Sequence, residues 1–81
     1  MNSTEYFKHT RKRPGRAMIK DEWIDHVTKY PEYQSTQSDG RVRKWGRIKE
    51  MDGRYLRVIL LEDQETIHNA FFDRRFRGYE D

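Results

Sequence analysis

Residues 41–61 read Arg41-Val42-Arg43-Lys44-Trp45-Gly46-Arg47-Ile48-Lys49-Glu50-Met51-Asp52-Gly53-Arg54-Tyr55-Leu56-Arg57-Val58-Ile59-Leu60-Leu61. β-branched, aromatic and charged residues flank Met51-Asp52-Gly53 on both sides, the composition of two strands joined by a turn. The register between the arms follows from what each choice buries. A two-residue Asp52-Gly53 loop puts Arg43, Trp45 and Arg47 on the face of Leu56, Val58 and Leu60, which would then be half arginine and half core. A three-residue loop, with Gly53 left-handed in a bulge, pairs Glu50 with Arg54 and sorts the residues. That register predicts a core face of Val42, Ile48, Leu56, Val58, Leu60, Ile67 and Phe71. The opposite face then carries Arg43, Trp45, Arg47, Tyr55, Arg57, Ile59 and His68, while Lys44 points to the helix side at its edge.

After the hairpin, Asp63-Gln64 marks a short turn and 65–72 reads as another strand. Before it, Ser38-Asp39-Gly40 is a turn signal that follows a short strand at 33–36. Residues 20–30 place Trp23, Ile24, Val27 and Tyr30 one helical face apart, with Asp21 and Glu22 at the start, Lys29 at the end and Pro31 as the stop. Tyr6-Phe7-Lys8-His9-Thr10, rich in strand formers and ended by Pro14-Gly15, is expected as a first strand. The fold class expected is α+β: one main helix packed on a three- to four-stranded antiparallel sheet, in the order β-α-β-β-β. One domain over 1–81 is expected, with 6–72 as its ordered core and 1–5 and 73–81 as mobile tails.

The chain has 81 residues, no cysteine, 33% apolar and 38% charged residues. Packing alone must therefore hold the fold, and a reducing compartment suits it. No apolar run approaches the roughly 18 residues of a membrane span, and the polar start has no signal-peptide core. A cytoplasmic protein with no membrane contact is expected. The net charge of +3 is clustered: residues 6–20 hold six Lys or Arg and residues 41–49 five, with no acid in either stretch. Such clusters suit a polyanion.

Arg43, Trp45, Arg47 and Arg57 combine guanidinium forks for phosphate with a flat ring for base stacking. The same set also reads as a solvated strand face whose ring is covered by arginine stems. His68 on that face is either a proton carrier for backbone cleavage, with arginines stabilising the charged transition state, or a packed strand histidine. His9, among basic neighbours, is its possible acid–base partner, whereas His26 beside Glu22 reads as a surface ion pair. The loop bearing Arg11, Arg13 and Arg16 either grips phosphate or is a solvated turn. Phe76 can fold back on the sheet and aim Arg75 along its outer face, and Tyr79 can reach the same place. There is no Gly-rich phosphate loop, Ser-His-Asp order or metal-ligand spacing, so nucleotide hydrolysis and acyl transfer are disfavoured and no cofactor or metal is expected.

Phe7-Lys8-His9, Ile19 ahead of a short helix, Pro31 after it, Asp39-Gly40-Arg41, Leu56-Arg57-Val58-Ile59 and Thr66-Ile67-His68-Asn69-Ala70-Phe71 together resemble small bacterial domains of the RelE/BrnT-like toxin superfamily. The likeness is to phage- or plasmid-associated members with a histidine on the first strand. It implies metal-independent RNA cleavage by basic side chains on the sheet, on the ribosome or on free mRNA, and neutralisation by a cognate antitoxin. By position it assigns Arg43, Arg47 and Arg57 to the basic strand residues, His9 to the strand-one histidine and Tyr79 to a terminal tyrosine. Two other readings use the same surface: a non-catalytic nucleic-acid-binding module, and a protein-interaction domain anchored by Trp45 and Tyr55.

Overall fold

The computed structural model describes residues 2–77. Two helices, α1 (Glu5–Thr10) and α2 (Asp21–Lys29), precede four strands: β1 (Tyr33–Thr36), β2 (Val42–Ile48), β3 (Arg54–Leu60) and β4 (Ile67–Phe72). The strands form one antiparallel sheet in the order β1-β2-β3-β4. The protein is therefore a small α+β fold in which the main helix, α2, packs on one face of a four-stranded meander. No helix is long and apolar enough to cross a membrane among the described residues.

The helix α2 buries Trp23, Ile24 and Val27, as their spacing predicts. Tyr30 does not join them. It leaves helical geometry at the C-cap, stands 69% exposed and meets the His26 ring at 5.7 Å. His26 thus packs on an aromatic neighbour, and no ion pair joins it to Glu22 among the described residues. Lys44 does face the helix: it is buried, and its Nζ donates to the Thr28 carbonyl at 2.8 Å, one of the unpaired acceptors at the end of α2.

Residues 6–10 are helical, not a strand. Thr4 is the N-cap, its Oγ1 accepting from the Phe7 N–H at 3.1 Å, and Glu5 lies in the first turn. Phe7 and Thr10 then fall on one side and are buried. The segment before α1 is also engaged in the fold, although composition marks it as a tail. Ile67 donates to the Asn2 carbonyl at 2.8 Å and accepts from Thr4 N–H at 2.9 Å, with Ser3 forming a parallel bridge to Ile67.

The β2–β3 hairpin differs from its expected pairing by two residues. Ile48, not Glu50, pairs with Arg54, and Trp45 pairs with Arg57. A 3-10 turn over Lys49–Met51 and two left-handed residues, Asp52 (φ 58°) and Gly53 (φ 73°), make the connection. The longer loop has a packing reason: Glu50 accepts from Trp23 Nε1–H at 3.2 Å, and Met51 packs against the core. A shift of two preserves which face each side chain takes, so the sorting of core from outer residues holds while every cross-strand partner changes. Arg47 stands opposite Tyr55, not Arg57.

Between β3 and β4 there is a bulge: Leu60 pairs with Ile67 but Ile59 pairs with Asn69, leaving His68 as the extra residue. The sense of alternation reverses beyond it. Ile67 and Ala70 are buried and Phe72 packs against the core beside Trp23, whereas Phe71, expected in the core, turns to the outer face.

Candidate nucleic-acid interface

The sheet face away from the helices carries Arg43, Trp45 and Arg47 from β2, Tyr55, Arg57 and Ile59 from β3, and Asn69 and Phe71 from β4. Guanidinium groups and rings alternate across it. Arg16 lies 5.3 Å from the Phe71 centroid and Arg57 5.4 Å from the same ring. Arg57 is also 5.4 Å from the Trp45 ring, and Arg43 is 5.7 Å from it. The result is a ladder, Arg16-Phe71-Arg57-Trp45-Arg43, running straight across three strands through directly opposed residues and ending along β2. Each rung is a cation over a π face, worth about 0.5–2 kcal/mol according to how far it is desolvated.

The ladder holds more positive charge than it neutralises. Arg57 meets one carboxylate, Asp73, at 3.5 Å. Arg43 has no acidic partner among the described residues, and Arg16 bonds the neutral Asn69 Oδ1 at 2.9 Å. The Nε atoms of Arg43 and Arg57 are both buried with no hydrogen-bond partner among the described residues. Burial lowers the Arg57 pKa; Asp73 opposes the shift and the Arg43 charge adds to it. Two adjacent guanidinium groups with spare donors attract an anion.

Arg47 is committed elsewhere. Its Nε and backbone N–H donate to the two carboxylate oxygens of Glu32 at 3.0 and 2.7 Å, and Glu32 raises its pKa. Arg11 is likewise engaged, paired with Asp21 and set over the Phe7 ring at 5.1 Å. It braces the basic loop against the start of α2. Arg13 is exposed in that loop, where its carbonyl accepts from Arg16 and Ala17.

The outer face is not open, as a single helical layer leads one to expect. Residues 73–77 lie across it. The Phe76 ring does fold back, stacking on Trp45 at 4.4 Å and 9° and meeting Tyr33 and Tyr55 edge-on at 5.3 and 5.0 Å. Trp45 is consequently 6% exposed. Asp73 accepts from Trp45 Nε1–H at 3.2 Å as well as facing Arg57. Arg75 is exposed, and its backbone N–H donates to Asp73 Oδ1. Tyr79 lies outside the described residues.

The two histidines are kept apart. His68 stacks on Tyr6 at 4.9 Å, and its Nδ1 lies 3.2 Å from Thr4 Oγ1. His9 is exposed on α1, beside Glu5, Tyr6, Lys8 and Lys12. No hydrogen bond, ion pair or ring contact joins the two among the described residues. Burial, then the nearby Arg41 charge, lowers the His68 pKa, with Asp39 opposing. No three metal-ligating side chains gather among the described residues.

Sequence reasoning reached Arg43, Trp45, Arg57 and the returning Phe76. It read Arg16 only as part of a basic loop and did not reach Phe71, Tyr33 or Asp73. One signal for these was present: in Phe71-Phe72-Asp73 two consecutive rings cannot both enter the core of a strand, and an acid follows them directly.

No family model matches the chain, no curated protein matches it, and no solved structure matches it.

Proposed function

We propose that this protein is an RNA-binding module that takes phosphate at Arg43 and Arg57, with Arg16 and the basic loop of residues 11–16 extending the contact. The single observation that carries this reading is the Arg43–Arg57 pair: two guanidinium groups share one sheet face, Asp73 pairs with Arg57 alone, and each arginine has a buried donor without a partner among the described residues. Trp45 and Phe71 beside them are rings on which unpaired bases would stack once the covering groups move aside, which favours a single strand over a duplex. Fluorescence anisotropy with labelled oligouridine tests it. The wild type binds at low salt, and Arg43→Ala and Arg57→Ala each weaken binding by roughly ten- to 150-fold, the loss of a charge-assisted hydrogen bond. Affinity unchanged in both variants contradicts the assignment.

A second reading adds cleavage, in line with the resemblance to RelE/BrnT-like toxins. It is favoured by His68, an imidazole fixed by the Tyr6 stack and by Thr4 Oγ1 at its Nδ1, and so a positioned candidate to accept a proton from a ribose hydroxyl. In this reading His68 is the base and Arg57 stabilises the phosphorane charge, while His9 has no partner role. Induced expression then arrests growth and His68→Ala relieves the arrest. Harmless expression of the wild type, with intact RNA after incubation in chelator, leaves binding alone.

A further inference from the structure

The Phe76 ring sits as a nucleobase would. It has a flat floor, Trp45, at stacking distance and 9° tilt, and Tyr33 and Tyr55 wall it edge-on. Three residues earlier, Asp73 puts a carboxylate oxygen on Trp45 Nε1–H at 3.2 Å and within 3.5 Å of Arg57 Nη1. A ring on the floor and an anion at the arginine are the two parts of a nucleotide. Residues 73–77 supply both from the chain itself.

Among the described residues the segment is held at two points, Asp73 and Phe76. Asp73 N–H donates to the Tyr55 carbonyl at 2.9 Å, continuing the ladder of β3, and beyond it, among the described residues, the Phe76 ring carries the contact. Arg74, Arg75 and Arg77 are exposed. Three like charges in four residues, set beside a basic face, oppose closure. A segment anchored at two residues and carrying a repulsive charge pattern is suited to local opening.

We propose that the slot bounded by Tyr33, Trp45 and Tyr55 is a nucleobase-binding site, that Phe76 fills it and Asp73 takes the phosphate position in the absence of RNA, and that RNA enters by displacing them. This rests on the RNA reading above and adds to it a competitor built into the chain. Affinity is then set by the difference between base and phenylalanine on one floor.

The test uses the full chain and two fluorescent probes, octauridine and an abasic ribose-phosphate octamer of equal charge. Phe76→Ala binds octauridine about three- to tenfold more tightly than the wild type, the worth of one aromatic stack no longer displaced, and gains nothing on the abasic strand. Near-UV circular dichroism checks the fold of the variant. Phe76→Leu, which keeps apolar cover over Trp45, gains in the same direction by less and decides the matter where the alanine variant does not fold. If the wild type binds octauridine but both variants bind it equally or more weakly, or gain equally on the abasic strand, the slot proposal is overturned while RNA binding stands. If no form binds either probe at low salt, the RNA reading falls and the slot with it.

Discussion

Gly46 stands where α2 crosses β2, and a β-carbon there would lie 3.0 Å from Val27 Cγ2. Glycine in a strand interior weakens the strand, so its presence marks a close approach. Gly46→Ala pushes the helix outward, and a loss of about 1–3 kcal/mol is expected in denaturant unfolding with unchanged m-value. An unaltered midpoint contradicts the close packing. His68 carries a second residue-scale prediction. Its folded pKa lies below the unfolded one, so between the two values the unfolded chain binds more protons and stability falls as pH falls. The loss begins near the unfolded value of about 6.5 and is complete below the folded one. Urea midpoints at pH 7.5 and 5.0 show it, and His68→Gln removes it; an equal decline in that variant assigns the loss elsewhere. Asp63, held down by hydrogen bonds from Thr66 and Glu65, contributes above its unfolded value near 3.9 and loses that contribution as pH falls through the folded one, a separate step at lower pH.

At the scale of elements, α1 shows how a short segment escapes its local pattern. Tyr6 and Phe7 favour strand, yet six residues give one and a half turns, too few for a period to be counted. Tertiary contacts decide the outcome. Thr4 caps the helix while its hydroxyl meets His68 on β4, and Phe7 enters the core. Thr4→Ala therefore costs about 1 kcal/mol through the cap, checked by thermal unfolding. A variant as stable as the wild type contradicts the capping role. The hairpin was legible for the opposite reason: alternation over seven residues a strand fixes the faces, and a two-residue slip leaves them intact. The slip itself was not legible, because it depends on Trp23 reaching Glu50 across the fold. The His68 bulge was equally hidden. It arises where Ile67 is bonded by residues 2–4, a contact between segments far apart in sequence.

For the whole molecule, the central fact is how positive charge is distributed over one sheet. Arg47 and Arg11, prominent in sequence, are occupied by Glu32 and Asp21. Arg43 and Arg57, with Arg16 brought in from the loop, keep unmet donors or unmatched charge and alternate with Trp45 and Phe71. Charge clustering in the sequence pointed to the right strands. Which guanidinium groups are spare depends on Glu32 and Asp73, whose side chains reach the face from connections outside the strands. The salt dependence of oligouridine binding, compared between the wild type and an Arg43→Gln/Arg57→Gln variant, tests the claim most directly. Each lost phosphate contact lowers the slope of log affinity against log salt by about 0.7 on a single strand. A slope about 1.4 shallower in the double variant is the predicted result, and slopes that coincide contradict phosphate binding at this pair.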